Sequence, residues 1–181
     1  MAGEKKTKED LIFLYKSFLN TFSNFNLIVF YGTLLGIIRD NDFIKDDDDL
    51  DFLLNDDDCD KFVAELKNRN IVYKKFSKSK KILLIQCFFD DIGPIDVYMY
   101  SKNLEEYILI PWDGDILFKK NEIFPLHQIS FYGKQCLVPN LCEQIIEQIY
   151  GDNWRIPLSK KSYLWGEITK VKTLKKIEGQ I

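Results

Sequence analysis

Between Asp40 and Asp60 the chain carries eleven aspartates and one lysine. Within that run the segment Asp47-Asp48-Asp49-Leu50-Asp51-Phe52-Leu53 alternates carboxylates with apolar side chains. On a strand, alternate residues share a face about 6.7 Å apart, from ~3.3 Å per residue. Asp49 and Asp51 are then expected to point together, with Leu50 and Phe52 directed into a core. Two carboxylates so held repel unless a cation lies between them, and hard oxygen ligands in this number suit Mg²⁺ or Mn²⁺. A third carboxylate, Asp96, lies in Ile95-Asp96-Val97-Tyr98, which reads as a strand of its own. A neighbouring strand runs about 4.8 Å away, so Asp96 can join the pair if the two strands are adjacent. Three convergent carboxylates can hold two metals roughly 3.5–4 Å apart and clamp a phosphate for in-line attack. The chemistry this implies is phosphoryl or nucleotidyl transfer. An EF-hand is excluded: counting from Asp47, the sixth position is Phe52 and the twelfth Asp58, where glycine and glutamate are required.

A phosphate site needs a second half, and Tyr31-Gly32-Thr33-Leu34-Leu35-Gly36 can supply it. If Gly32 ends a strand and Thr33 opens a helix, backbone N–H groups and the hydroxyl can face a phosphate. The segment is neither a Walker A loop nor a Gly-x-Gly-x-x-Gly fingerprint; the alternative is a plain strand-to-helix turn. Arg39, one short helix later, can offer a bidentate contact to phosphate oxygens or an ion pair to a nearby aspartate.

These groups must be positioned by the elements around them. Leu11, Leu14, Tyr15, Phe18, Leu19 and Phe22 repeat at three and four, one apolar helical face, and Thr7 with Asp10 forms a capping box. Leu27–Tyr31 reads as a short buried strand, 34–39 as a brief helix and Leu50–Leu54 as a second strand. Asp56 or Asp57 is expected to cap a helix with Phe62, Val63 and Leu66 inward. Strands follow at 71–76, 82–89 and 95–100, with a lysine-rich turn at Lys74–Lys81 between the first two. Segments around Ile108, Ile116 and Phe131 fit strand or loop equally. Asn140 is expected to cap a helix carrying Leu141, Ile145, Ile146 and Ile149 inward and ended by Gly151. A last amphipathic segment starts near Ser159. No repeat, linker or low-complexity tract divides the chain, so residues 1–181 are read as one α+β domain, a mixed sheet with flanking helices.

Composition narrows the class. The hydrophobic fraction of 46% and charged fraction of 29% lie near globular averages, which excludes disorder, collagen and a disulfide scaffold. Cys59, Cys87, Cys136 and Cys142 form no Cys-x-x-Cys pair and His127 is the only histidine, so zinc and a histidine-based triad are not supported. The longest apolar stretch, Leu27–Ile38, is too short to span a bilayer. The charged N-terminus has no signal-like apolar run behind it, and the chain is expected to be cytoplasmic. Outside the acidic insert the balance is basic. That pattern fits a cation site in a protein prepared for an anionic substrate, the alternative being an acidic solvated loop. Residues 67–81 hold seven basic side chains and no acidic one, but aromatics are not interleaved for stacking, so nucleic acid is not the expected partner.

The run Tyr31-Gly-Thr-Leu-Leu-Gly-Ile-Ile-Arg39, then Phe43-Ile44, then Asp47-Asp-Asp-Leu-Asp51 resembles the LicD/fukutin family of phosphotransferases. Its pattern is Gly-Thr-Leu-Leu-Gly, Arg, then Phe-Ile-Pro-Trp-Asp-Asp-Asp-Ile-Asp. Here Lys45-Asp46 stands in place of Pro-Trp, a departure on the substrate side of the site. Asp91-Ile-Gly-Pro-Ile-Asp96 is similar to the family's Asp-x-x-Pro-Leu-Asp. Ile123-Phe-Pro-Leu126, Phe131-Tyr-Gly133, Val138-Pro139 and Tyr150-Gly-Asp-Asn-Trp154 resemble its C-terminal block. The resemblance implies a polymerase-β-type nucleotidyltransferase core. It implies metal-dependent transfer of a phospho-alcohol or sugar phosphate from a nucleotide-diphosphate donor, such as CDP-choline or CDP-ribitol, to a hydroxyl of a glycan or glycolipid acceptor. By carry-over Asp49, Asp51 and Asp96 are the catalytic metal ligands, expected to hold two Mg²⁺ or Mn²⁺ ions. Gly32, Thr33 and Arg39 face the donor phosphates, and Asp47 is added as a ligand or as support for one. Trp154 reads as a buried structural ring rather than a stacking platform.

Two other functions share these features. A small nucleotidyltransferase moving NMP from an NTP to a protein, RNA or small molecule would keep the three aspartates and Gly-Thr, and would differ in retaining the nucleotide in its product. A metal-stabilised binding module is the non-enzymatic reading, against which the intact Asp49, Asp51 and Asp96 argue. With little beyond the core, acceptor recognition is expected to involve a protein partner.

Overall fold

The structure, a computed structural model, describes residues 6–89, 92–112, 115–157 and the backbone of 172–173. Its centre is a seven-stranded mixed sheet of β1 (Ile28–Val29), β2 (Leu50–Asn55), β3 (Val72–Lys78), β4 (Lys81–Phe89), β5 (Gly93–Tyr100), β8 (His127–Phe131) and β9 (Lys134–Val138), in the order β3-β4-β5-β2-β1-β9-β8. A smaller sheet joins β6 (Tyr107–Ile110), β7 (Ile116–Lys119) and β10 (Lys172–Thr173) in the order β10-β7-β6. The helices are α1 (Lys8–Thr21), α2 (Tyr31–Asp40), α3 (Cys59–Asn68), the single turn α4 (Lys120–Ile123) and α5 (Cys142–Tyr150). None of the described helices is long and apolar enough to cross a membrane.

The first helix starts where its residues dictate. Thr7 accepts the Asp10 N–H at 3.1 Å, and Asp10 accepts the Thr7 N–H at 3.1 Å, the reciprocal capping box. Its apolar face lies on one side of the large sheet, where Phe18 meets Phe52 of β2 at 5.0 Å between ring centroids. Phe62 of α3 and Phe89 of β4 pack on the same ring. Leu50 and Phe52 point into this layer and are buried. The alternation that sends them there turns Asp51 to the opposite face. The four cysteines are all free thiols, with Cys59, Cys87 and Cys136 buried.

Several local expectations shift. The strand expected over Leu27–Tyr31 is only Ile28–Val29, and the helix expected from Leu34 begins at Tyr31. The run is apolar enough for either element; what starts the helix here is a carboxylate from another strand, described below. The strand expected over 71–76 is present and runs on to Lys78, so the turn read at Lys74–Lys81 is confined to Ser79-Lys80; β3 is an edge strand. Exposure at the sheet edge lets three of the seven β3 residues be lysine, an arrangement that also discourages pairing with other chains. Asn55, not Asp56 or Asp57, caps the single 3₁₀ turn at Asp56–Asp58 that precedes α3, by accepting the Asp57 N–H at 3.2 Å. Asn140 does not cap α5; its carboxamide donates to the Asn121 carbonyl at 2.9 Å and meets His127 Nε2 at 2.8 Å. Ile108, Ile116 and Phe131 all lie in strands. The segment expected to be amphipathic from Ser159 lies outside the described residues except for 172–173, which pair with β7. Asp91 also lies outside them.

Candidate active site

Asp51 and Asp96 are direct partners in the parallel pairing of β2 with β5. Paired residues of parallel strands share a face, so both carboxylates emerge on the side away from the phenylalanine layer. Asp49, just before β2, joins them: carboxylate oxygens of Asp49, Asp51 and Asp96 all lie within 4.8 Å of one another. Asp47, Asp48 and Asp49 form a second group of the same tightness. The three residues expected to converge therefore do so, with Asp51 and Asp96 each only 7% exposed.

Asp51 is held from α2. The helix receives no side-chain cap from its own N-cap residue, Phe30; instead the Gly32 N–H donates to Asp51 Oδ2 at 2.9 Å. The Asp51 N–H in turn donates to Thr33 Oγ1 at 2.8 Å, and the Phe30 N–H to the Asp51 carbonyl at 3.1 Å. A carboxylate at a helix N-terminus is stabilised by the exposed N–H groups and the dipole they represent. Tyr31, the first residue of the helix, takes a left-handed φ of 40°, sparsely populated by non-glycine residues and a place where strain is stored beside the site. Gly32 leaves the Asp51 carboxylate room. A Cβ there would stand 3.1 Å from Asp51 Oδ2 and 3.5 Å from Asp47 Oδ2.

Asp96 is held from the sheet. Gln86, opposite it on β4, donates from Nε2 to Asp96 Oδ1 at 2.9 Å. Burial raises the Asp96 carboxyl above its ordinary range, while hydrogen bonds from Gln86 and Tyr98 pull it partly back. Asp51 is raised well above that range, by burial first and then by the charges of Asp49, Asp47 and Asp96, against the Gly32 N–H. Burial and the same acidic neighbours also raise the Tyr98 phenol, which therefore stays protonated.

The carboxylates open onto a cleft of about 650 Å³, whose lining includes Tyr31, Gly32, Asp47, Asp49 and Asp51. Tyr98, Pro111, Trp112, Ile116 and Tyr150 line the remainder with Leu83 and Lys78. Gly32 and Asp47 thus stand where a donor was expected. Thr33 is buried, with its hydroxyl accepting from Asp51. Arg39, near the C-terminal end of α2, is not among the lining residues and forks onto Asp40 at 2.9 and 2.7 Å. Trp154 is buried in the core, as read. Sequence reasoning missed Gln86, Lys78, Tyr98 and Trp112. Only Tyr98 had a local signal, its i+2 spacing from Asp96 on a strand.

Among the described residues no lysine, arginine or histidine ion-pairs with Asp51 or Asp96. Buried carboxylates crowded together without a basic partner disfavour their own charge, and a hard divalent cation relieves exactly that imbalance through oxygen ligands alone. The donor set fits such an ion.

The sequence pattern of the LicD/FKTN/FKRP nucleotidyltransferase domain matches residues 24–141, well over half of the chain. The chain belongs to the LicD/FKTN/FKRP family. Of the cleft-lining residues of this LicD-family chain, only Tyr150 falls outside the matched segment. No curated protein matches the chain in a sequence search. Among solved structures, the crystal structure of lincosamide antibiotic adenylyltransferase LnuA with lincomycin bound is similar, with a TM-score of 0.51. The sequences are 11% identical over 75% of this chain and 82% of that one. At that identity the likeness shows the fold, a nucleotidyltransferase core of mixed α+β type, as the sequence resemblance implied. Family and fold together make the LicD-family chain a transferase built on a nucleotidyltransferase-type domain.

Proposed function

We propose that the chain, acting as one LicD-like unit over residues 1–181, transfers a phospho-alcohol or sugar phosphate from a nucleotide-diphosphate donor to a hydroxyl of a glycan or glycolipid. The observation that carries this reading is the convergence of Asp49, Asp51 and Asp96 at a cleft whose rim is the N-terminus of α2. Asp49, Asp51 and Asp96 would hold the divalent ion or ions, Mg²⁺ or Mn²⁺, with Asp47 beside them. The metal supplies charge neutralisation at the phosphates and an electrophilic hold on the attacked phosphoryl group.

The protein's own groups orient the rest. Gly32 keeps the approach to Asp51 open, because any side chain there would enter the space between Asp51 and Asp47. Thr33 acts through Asp51, fixing its backbone, and Gln86 and Tyr98 fix Asp96. The acceptor oxygen bonds to the phosphorus that carries the alcohol or sugar as the bond from that phosphorus to the nucleoside monophosphate breaks. The hydroxyl proton passes to Asp96 or through it to solvent. Arg39, outside the cleft lining, forks onto Asp40 at the end of α2.

Nucleotide release decides the matter. With Mn²⁺ or Mg²⁺ present, CDP-choline, CDP-ribitol, NDP-sugars and the four NTPs are compared for hydrolysis. Slow metal-dependent release of CMP from a CDP-alcohol, abolished in Asp49→Asn, is the expected result. Pyrophosphate release from an NTP would assign the chain to NMP transfer instead. Full activity in Asp49→Asn would refute the assignment of the site.

A further inference from the structure

The described lining of the cleft is of two chemical kinds. Asp47, Asp49 and Asp51 crowd beside the Gly32 backbone. Pro111, Trp112, Ile116 and Leu83 are apolar or aromatic, Tyr98 bridges from the carboxylates to the Trp112 ring, and Lys78 is the single basic side chain among the described lining residues. The half-buried Trp112 has two aromatic neighbours. Its ring lies 6.0 Å from Tyr98, inclined at 63°, and 5.8 Å from Phe76, inclined at 75°. Edge-to-face packing of this kind fixes an indole in place and favours one orientation.

The hairpin that brings Phe76 there is deformed at the same point. The register of β3 and β4 slips between Phe76 and Ser77, so Phe76 pairs with Leu84 and Ser77 with Ile82. Leu83 is left without a partner in the ladder, a bulge. Bulges re-aim side chains and concentrate beside active sites. Here one lining residue from the hairpin, Leu83, is the bulged residue itself, and the other, Lys78, follows Ser77 on the facing strand. Phe76, 39% exposed, closes the outer edge of the indole.

We infer that Trp112, braced by Tyr98 and Phe76 and flanked by Leu83 and Lys78, is the seat of the donor's nucleobase. This rests on the reading of the chain as an enzyme that uses a nucleotide donor. A ligand that is anionic at one end and flat and aromatic at the other matches the division of the cleft: phosphates toward the carboxylate-bound cation, base toward the indole. A sugar ring fits beside the indole less well. Its hydroxyls need several hydrogen-bonding partners; Leu83, Pro111 and Ile116 offer none, and outside the carboxylates the described lining supplies only the tyrosine hydroxyls, the Trp112 N–H and Lys78. A base presents a π-face that stacking alone can hold. Lys78 lies where it can meet a donor oxygen beside the base.

Equilibrium binding in Mn²⁺ tests this, with CMP, UMP, AMP and GMP as probes and ribose 5-phosphate as the ligand without a base. Wild type is expected to bind at least one of the four tighter than ribose 5-phosphate. Trp112→Ala is expected to weaken that nucleotide tenfold or more, about 1.4 kcal/mol, and to leave ribose 5-phosphate unchanged. Trp112→Phe should restore most of the loss. Mn²⁺ affinity, read by electron paramagnetic resonance without nucleotide, should be the same in all three proteins, which separates a lost platform from a misfolded site. Nucleotide affinity within twofold of wild type in Trp112→Ala, or equal weakening of ribose 5-phosphate, overturns the inference while leaving the donor reading intact. Wild type that binds Mn²⁺ but none of the nucleotides overturns both.

Discussion

Thr33 and Asp51 are tied through the backbone: the Asp51 N–H donates to Thr33 Oγ1 at 2.8 Å, one residue along from the Gly32 N–H that donates to the Asp51 carboxylate. The helix start and the strand start therefore define each other. Thr33→Val keeps the shape and removes the acceptor, leaving a buried N–H unpaired. We expect a loss of about 1–3 kcal/mol in urea unfolding together with most of the turnover. Thr33→Ser, which keeps the oxygen, should recover both; equal damage in the two variants would mean that the methyl group, not the bond, matters.

Gly32 and Gly36, one turn apart in α2, should fail in different ways when changed to alanine. At Gly36 a Cβ would meet backbone, the Asp42 carbonyl at 2.7 Å and the Ile44 nitrogen at 2.9 Å. The helix and the following loop must move apart, at a cost of about 1–3 kcal/mol of overpacking. At Gly32 the Cβ meets a carboxylate oxygen instead, while alanine is the better helix former by roughly 0.5–1 kcal/mol. Gly32→Ala should thus keep its melting temperature and lose Mn²⁺ affinity and turnover. Calorimetric unfolding beside Mn²⁺ titration distinguishes the two.

Metal-free protein should become less stable as pH rises. Asp51 and Asp96 have folded pKa values raised above the ordinary 3.8, so above about pH 4 the native state holds protons that the unfolded chain has released. Stability therefore falls with rising pH until the folded values are passed, by up to about 1.4 kcal/mol per pH unit for each such proton. Unfolding midpoints in chelator across this range should show the decline. Asp51→Asn should flatten it by about one proton, and saturating Mg²⁺ or Mn²⁺ should oppose it in wild type. A midpoint that climbs with pH in chelator would contradict the sign.

How much of this the residues announced depends on whether the signal was local. The Thr7–Asp10 box and the Asp49-Leu50-Asp51 alternation are properties of neighbours in the chain, and both were legible. So was the third carboxylate, because Asp96 sits in its own strand-like segment. The start of α2 was not, since its cap comes from Asp51 on another strand rather than from Phe30. The strand was legible to Phe76, but the lysines around it also looked like a turn because charge usually marks one; the place of β3 at the sheet edge is what lets the strand run on to Lys78. Asn140 looked like a cap because its type is right, yet its amide is committed to Asn121 and His127. Gln86 and Trp112 gave no local sign, because one depends on strand register and the other on a bulge in a hairpin far from it in sequence.

The in-register pairing of Asp51 with Asp96 also bears on the order in which the molecule assembles. Between these strands the chain must complete α3 and the β3–β4 hairpin, so the two carboxylates meet only after a long loop has closed. Bringing like charges together on adjacent central strands opposes that closure, which makes docking of β5 on β2 a late step unless a cation is already bound to Asp49 or Asp51. A cation held by these carboxylates would then act mainly as a latch on the finished sheet, slowing its opening more than hastening its formation.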